Sequence, residues 1–225
     1  MEEKKEEIEI YSLIESLDGY LKVYTSSQGV AFSNVNIRAI IIHQMNEKKK
    51  IEEIVSDMVN KGLNPYHFII DEDGKIYQIN NVESSLKHCR SKKYTVKANE
   101  YFGDNICPSF EENKDAIHPE ACADNCTLSI LLPYGDMNSN VYNAAVKLNA
   151  YLINKYARGL QGTTGILGAF EISDSFDDPK CFKEDPDTFL QFKYDIEKLR
   201  SRWLLHYGGF ERGYCTEHFY ETKLK

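Results

Sequence analysis

Nowhere does this sequence string together the ~18–20 apolar residues that a helix needs to cross a bilayer. A membrane-spanning helix is excluded as an expectation. Cationic excess is missing as well: 27 Lys and Arg stand against 35 Asp and Glu, a formal net charge of −8. Such a chain has no general attraction for phosphate backbones or anionic lipid, which excludes nucleic acid as a partner. Cysteine is sparse, six residues in 225. That is too few to build a fold of this size on disulfides, so free thiols are expected. The first ten residues, MEEKKEEIEI, place acidic side chains where a secretory leader needs a basic end and an apolar run. Synthesis in the cytoplasm without a signal peptide is the expectation. Internal repeats, Gly/Ser linkers and low-complexity tracts are also lacking, which favours one domain over an array.

What the chain does have is material for a core. Its hydrophobic share is 42%, with 15 Tyr and 11 Phe, and this argues against disorder over most of its length. The spacing of apolar residues predicts a helix over Glu2 to Leu17 and a short strand over Tyr20 to Thr25, an extension covering residues 1–36. Ile37 to His43 is the most apolar run and ends abruptly on a polar residue, as a buried central strand does. Lys48 to Lys61 spaces Ile51, Ile54, Val55, Met58 and Val59 three and four apart, an amphipathic helix closed by Gly62. Tyr66 to Ile70 and Lys75 to Ile79 flank Asp73-Gly74, a strong hairpin signal. A long polar stretch, 80–126, has the character of a binding face or an insertion. Then come a strand at Thr127 to Leu132, a helix at Ser139 to Arg158, a strand at Ile166 to Phe170 and a helix at Asp187 to Leu205. This order implies an α/β domain over 37–205, a central mixed β-sheet flanked by α-helices, followed by a tail at 206–225.

Two groups of residues carry metal-ligating chemistry. Cys107, His118, Cys122 and Cys126 fall close together and include the soft donors that structural zinc takes, although their spacing matches no zinc finger. The alternative is a set of buried or partly exposed thiols. His43, at a strand end, is either a ligand or a hydrogen-bonded core imidazole.

The motifs around His43 carry a resemblance. Ile40-Ile41-Ile42-His43, Asn64-Pro65-Tyr66-His67-Phe68-Ile69-Ile70-Asp71, Gly74-Lys75-Ile76-Tyr77-Gln78, Leu86-Lys87-His88, Asp124-Asn125-Cys126-Thr127-Leu128-Ser129-Ile130, Gly168-Ala169-Phe170-Glu171-Ile172-Ser173 and Asp178-Pro179 occur in that order. Together the chain resembles the zinc-dependent N-acetylmuramoyl-L-alanine amidases of type 2, a family shared by phage and bacterial wall amidases and peptidoglycan recognition proteins. The resemblance implies a sheet with helices on both faces and a groove for a glycan-peptide. It also implies a zinc ion on three protein ligands, with a water made acidic enough to attack the lactyl-amide carbonyl.

Here the resemblance implies an incomplete site. His43 matches the first metal ligand and Asp178 the third, but the second falls on Ala169, whose methyl group cannot coordinate anything. A pair of ligands holds zinc weakly, so zinc is expected to be weak or absent. Leu131 stands where many members carry a general-base Glu, although one branch works without it, and Phe176 stands where a basic residue steadies the oxyanion. Tyr66 matches a Tyr that takes part in the reaction in one branch; a Tyr on a strand is otherwise core or groove wall. His67, His88 and Asn125 take substrate-contact positions by the same resemblance. The expected function is a catalytically impaired domain that binds peptidoglycan or a muropeptide, reaching the wall by release or as a phage product. An active or deliberately inactivated zinc amidase is the alternative, and a regulatory or scaffold protein on the same fold is a further one.

Overall fold

Alternation along the strands decides the architecture. In β2 (Ala39–Gln44), Ile40 and Ile42 point to one face of the sheet while Ala39, Ile41 and His43 point to the other, the period-two consequence of a pleated strand. The computed structural model describes residues 8–12, 37–61, 65–82, 86, 88–89, 94–102, 123–156, 162–206 and 223–224. Within them β1 (Glu9–Ser12), β2, β3 (Phe68–Ile70), β4 (Ile76–Gln78), β5 (Thr127–Leu132), β6 (Ile166–Gly168) and β7 (Lys223–Leu224) form one sheet in the order β6-β2-β5-β3-β4-β1-β7. Strand β3 runs antiparallel to β4, while the other described pairs are parallel, so the mixed sheet expected from the sequence is present.

Helices cover both faces. α3 (Ser139–Lys155) and α6 (Pro186–His206) pack on the face that carries Ile40, Ile42, Leu128 and Ile130, with Leu148, Leu152, Phe192 and Ile196 closing the core. Phe182, from the short α5 (Lys180–Lys183), stacks on Phe189 at 4.5 Å and is fully buried, as is Phe192. Burying such a ring contributes about 1.5–3 kcal/mol. On the other face α1 (Ile51–Lys61) lays Ile54 and Met58 over Ile69 and Leu131. α2 (Val96–Phe102) joins Ala98 and Phe102 to Ala39, Ile41 and Leu167.

Several expectations are corrected. Residues 9–12, inside the span Glu2 to Leu17 read as a helix, form a parallel strand with Ile10 opposite Ile76. Ile8 and Ile10 are buried two residues apart, a strand period that the apolar stripe had hidden. The span Tyr20 to Thr25 lies outside the described residues. The strand read over Ile166 to Phe170 stops at Gly168, and α4 (Ala169–Ile172) starts at once, because the Glu171 carboxylate reaches back to accept from the Gly168 N–H at 3.0 Å. The long segment 80–126 contains α2 and a single 3-10 turn at Ala123–Asn125 among its described residues.

Hydrogen bonds to one carboxylate tighten the predicted hairpin turn. Asp71 Oδ1 accepts from the N–H groups of Asp73 and Lys75, and Gly74 adopts φ +80° against the backbone of Asn140 at the start of α3.

Candidate functional site

The same alternation gathers the polar groups. His43, near the carboxyl end of β2, shares the α1/α2 face with Thr127 and Ser129 from the amino-terminal half of β5 and with His67, which lies beside Ser129. In register, His43 sits opposite Leu131 on β5, and Ile42 sits opposite Gly168 on β6, so Ala169 follows directly beside His43. Asp178 is drawn to the same place because its backbone carbonyl accepts from Phe170 N–H at 2.9 Å.

His43 is buried and held at both ends. Its Nδ1 lies 3.2 Å from Asp178 Oδ2, an oxygen that also accepts from Gln44 N–H at 3.0 Å. Its Nε2 lies 3.3 Å from His88 Nδ1. Since Asp178 is an acceptor, Nδ1 of His43 carries a hydrogen toward it. The ring is boxed in by Tyr66 at 5.4 Å and Phe176 at 6.2 Å, both edge-on. Burial first, and then the Asp178 charge, push the Tyr66 hydroxyl up to about 12. It stays protonated near neutral pH and can donate but not act as a base.

His88 is locked in one tautomer. Thr127 Oγ1 gives its single hydrogen to the Ala123 carbonyl at 2.6 Å, so it accepts from His88 Nε2 at 2.9 Å. The His88 Nδ1 lone pair is therefore turned toward Cys89 Sγ, 3.1 Å away, and toward His43. Burial, followed by the neighbouring His43 and His67, holds the His88 pKa well below its ordinary value. His67 is fully enclosed: its Nδ1 accepts from the Ser129 N–H at 3.0 Å, and its own N–H reaches Ser129. Its fixed ring ties β3 to β5 from beneath the site.

The positions named from the sequence thus separate. His43, Asp178, Ala169, Tyr66, Phe176 and His88 converge, while His67 lies under them. Asn125 stands in the turn leading into β5. Of the thiol cluster, Cys107, His118 and Cys122 lie outside the described residues, and Cys126 is buried with its Sγ 3.8 Å from the Ala123 carbonyl. Sequence reasoning passed over Cys89 and Asp124. Asp124 Oδ1 accepts from the N–H groups of both His88 and Cys89, at 3.1 and 2.7 Å. The two segments are 35 residues apart in the chain, so the signal was limited to a Cys following the motif His.

The sequence model of N-acetylmuramoyl-L-alanine amidases matches residues 33–187. This chain belongs to that family. Its fold is similar to three solved amidase-type structures. PlyL is 16% identical with a TM-score of 0.53, covering 85% of this chain and 97% of that one. The PlyG catalytic domain, a solution structure, is 15% identical with a TM-score of 0.54, covering 86% and 96%. A mutant endolysin from Bacillus subtilis is 13% identical with a TM-score of 0.53, covering 84% and 99%. At such identity the likeness concerns the fold. Comparison with curated protein sequences finds no match.

Within the family the donor set can be tested against zinc. His43 Nδ1 and Asp178 Oδ2, 3.2 Å apart, are spaced as neighbouring donors on one tetrahedral ion would be, about 3.3 Å for bonds of 2.0–2.1 Å. The same spacing is an ordinary hydrogen bond. Around His43 stand Leu131, opposite it in register, and the rings of Phe176 and a protonated Tyr66, with Ala169 following the register partner of Ile42. A pair of donors facing methyl groups and rings does not fit a catalytic zinc.

Proposed function

We propose that this chain is a catalytically impaired amidase-like domain that binds peptidoglycan or a muropeptide. One observation carries the reading: Ala169 is fully buried and follows Gly168, the register partner of Ile42, at the position where the resemblance puts the family's second metal ligand. Leu131, in register with His43, removes the general-base carboxylate from the same spot, and Phe176 packs where a cation would steady an oxyanion. Three separate functional positions have become apolar while the scaffold around them is kept. A change at Ala169 alone could have been made to trap substrate; changes at Leu131 and Phe176 have no such purpose. Tyr66 serves as groove wall, Asn125 belongs to the turn before β5 at a position that the resemblance gives to substrate contact, and His67 and His88 act by holding the groove floor in shape.

The spacing of His43 and Asp178 favours a second reading, an active zinc amidase that cleaves between N-acetylmuramic acid and L-alanine. Incubating the purified chain with insoluble peptidoglycan, beside a control protein of equal charge, separates the two. Retention on the wall with no new L-alanine amino groups is the expected result. Failure to be retained removes the binding reading, and release of L-alanine amines with loss of wall turbidity establishes the enzyme instead.

A further inference from the structure

On the side of His43 away from Asp178, the His43 Nε2 lone pair meets another acceptor, whose own hydrogen can come from the Cys89 thiol. Nδ1 of His43 spends its hydrogen on Asp178, and Nε2 of His88 spends its hydrogen on Thr127. In the neutral rings this leaves His43 Nε2 and His88 Nδ1 facing each other at 3.3 Å, lone pair to lone pair. The thiol of Cys89 is 3.1 Å from the same His88 nitrogen. Donor atoms of His88, Cys89 and Asp124 all lie within 4.8 Å of one another, and all three residues are buried.

We propose that His88 Nδ1, Cys89 Sγ and an oxygen of Asp124 hold a zinc ion, displaced from the family's position, with His43 Nε2 beside it, 3.3 Å from His88 Nδ1. A nitrogen, sulfur and oxygen donor set selects zinc over magnesium or calcium, which take oxygen alone. Charge also balances: a divalent ion meets one thiolate, one carboxylate and neutral imidazole, and binding releases the thiol proton to solvent. The outer contacts are those of a ligating site. Each imidazole donates its other N–H to an oxygen, His88 to Thr127 and His43 to Asp178, as histidines on metals do. The backbone N–H groups of His88 and Cys89 clamp Asp124, which fixes three ligands from two distant segments in one place. Asp178 becomes the residue that orients His43 rather than a ligand.

The test uses the full chain, reduced, stripped with chelator and titrated with Co²⁺ as a spectroscopic probe and with Zn²⁺ in competition. One equivalent bound, with a thiolate-to-cobalt charge-transfer band and the intense visible bands of a tetrahedral ion, is expected. Cys89→Ser abolishes the charge-transfer band. Thr127→Val, which removes the partner of His88 Nε2 and a longer 3.9 Å contact to Cys89 Sγ, weakens zinc by roughly 10- to 100-fold. Asp178→Asn keeps the band at saturating cobalt. No bound metal, a band that survives Cys89→Ser, or metal lost in Asp178→Asn but kept in Cys89→Ser would each overturn the assignment. Should Cys89→Ser fail to fold, an unchanged zinc affinity in Thr127→Val does so. Wall retention does not enter any of these readouts, so this site and the binding reading fail separately.

Discussion

Removing the Asp178 carboxylate should destabilise the fold whether or not any metal is present. Its Oδ2 accepts from Gln44 N–H at 3.0 Å and lies 3.2 Å from His43 Nδ1, so Asp178→Ala orphans a backbone donor and a ring donor at the end of the central strand. An unsatisfied buried donor costs about 1–3 kcal/mol, and the lost side-chain bond adds about 1 kcal/mol. The Asp178 side chain is 26% exposed, so entering water recovers part of this. We expect a loss of about 2 kcal/mol, which for a chain of this length lowers Tm by roughly 4–8 °C. Asp178→Asn keeps an acceptor for Gln44 and should lose about 1 kcal/mol or less. Urea denaturation followed by circular dichroism, with chelator present for all three proteins, isolates the hydrogen bonds from any ion. A difference below about 0.5 kcal/mol for Asp178→Ala would refute the structural role argued for this carboxylate.

Gly74→Ala places a Cβ 2.6 Å from the Asn140 carbonyl oxygen at φ +80°, and the left-handed strain of ~1–2 kcal/mol plus the clash should cost about 2–4 kcal/mol in the same assay. An unchanged stability would mean that the hairpin does not abut α3 as described. Tyr66 titrates late: because its folded pKa is raised to about 12 from an ordinary ~10, its stabilising contribution is full below pH 10 and disappears as pH rises through 12. The ultraviolet phenolate signal lost in Tyr66→Phe should therefore appear only near pH 12; a signal near pH 10 would show an exposed ring. Ala169→His, placed in a Cys89→Ser background to silence the neighbouring cluster, should raise zinc affinity above that of its parent in calorimetry. It should also lose about 1–3 kcal/mol of stability from overpacking a fully buried site. No gain in affinity would mean that residue 169 does not look toward His43 and Asp178.

Much was legible in the chain itself. The apolar run ending at His43, the Asp73-Gly74 turn and the helical spacing of Ser139 to Arg158 are local signals, and each produced its element within a few residues. The motifs in their order were enough for the family. Local patterns were weaker where two periods compete, as at Ile8 and Ile10, where pairing with β4 outweighed a helical reading. What tertiary structure alone decided is who meets whom. Which imidazole faces Asp178, which tautomer His88 keeps and why Cys89 lies beside it depend on Thr127, Ala123 and Asp124. Those residues come more than thirty positions later in the chain, and hydrogen-bond partners at that separation are set by strand register and loop return, which no local spacing encodes.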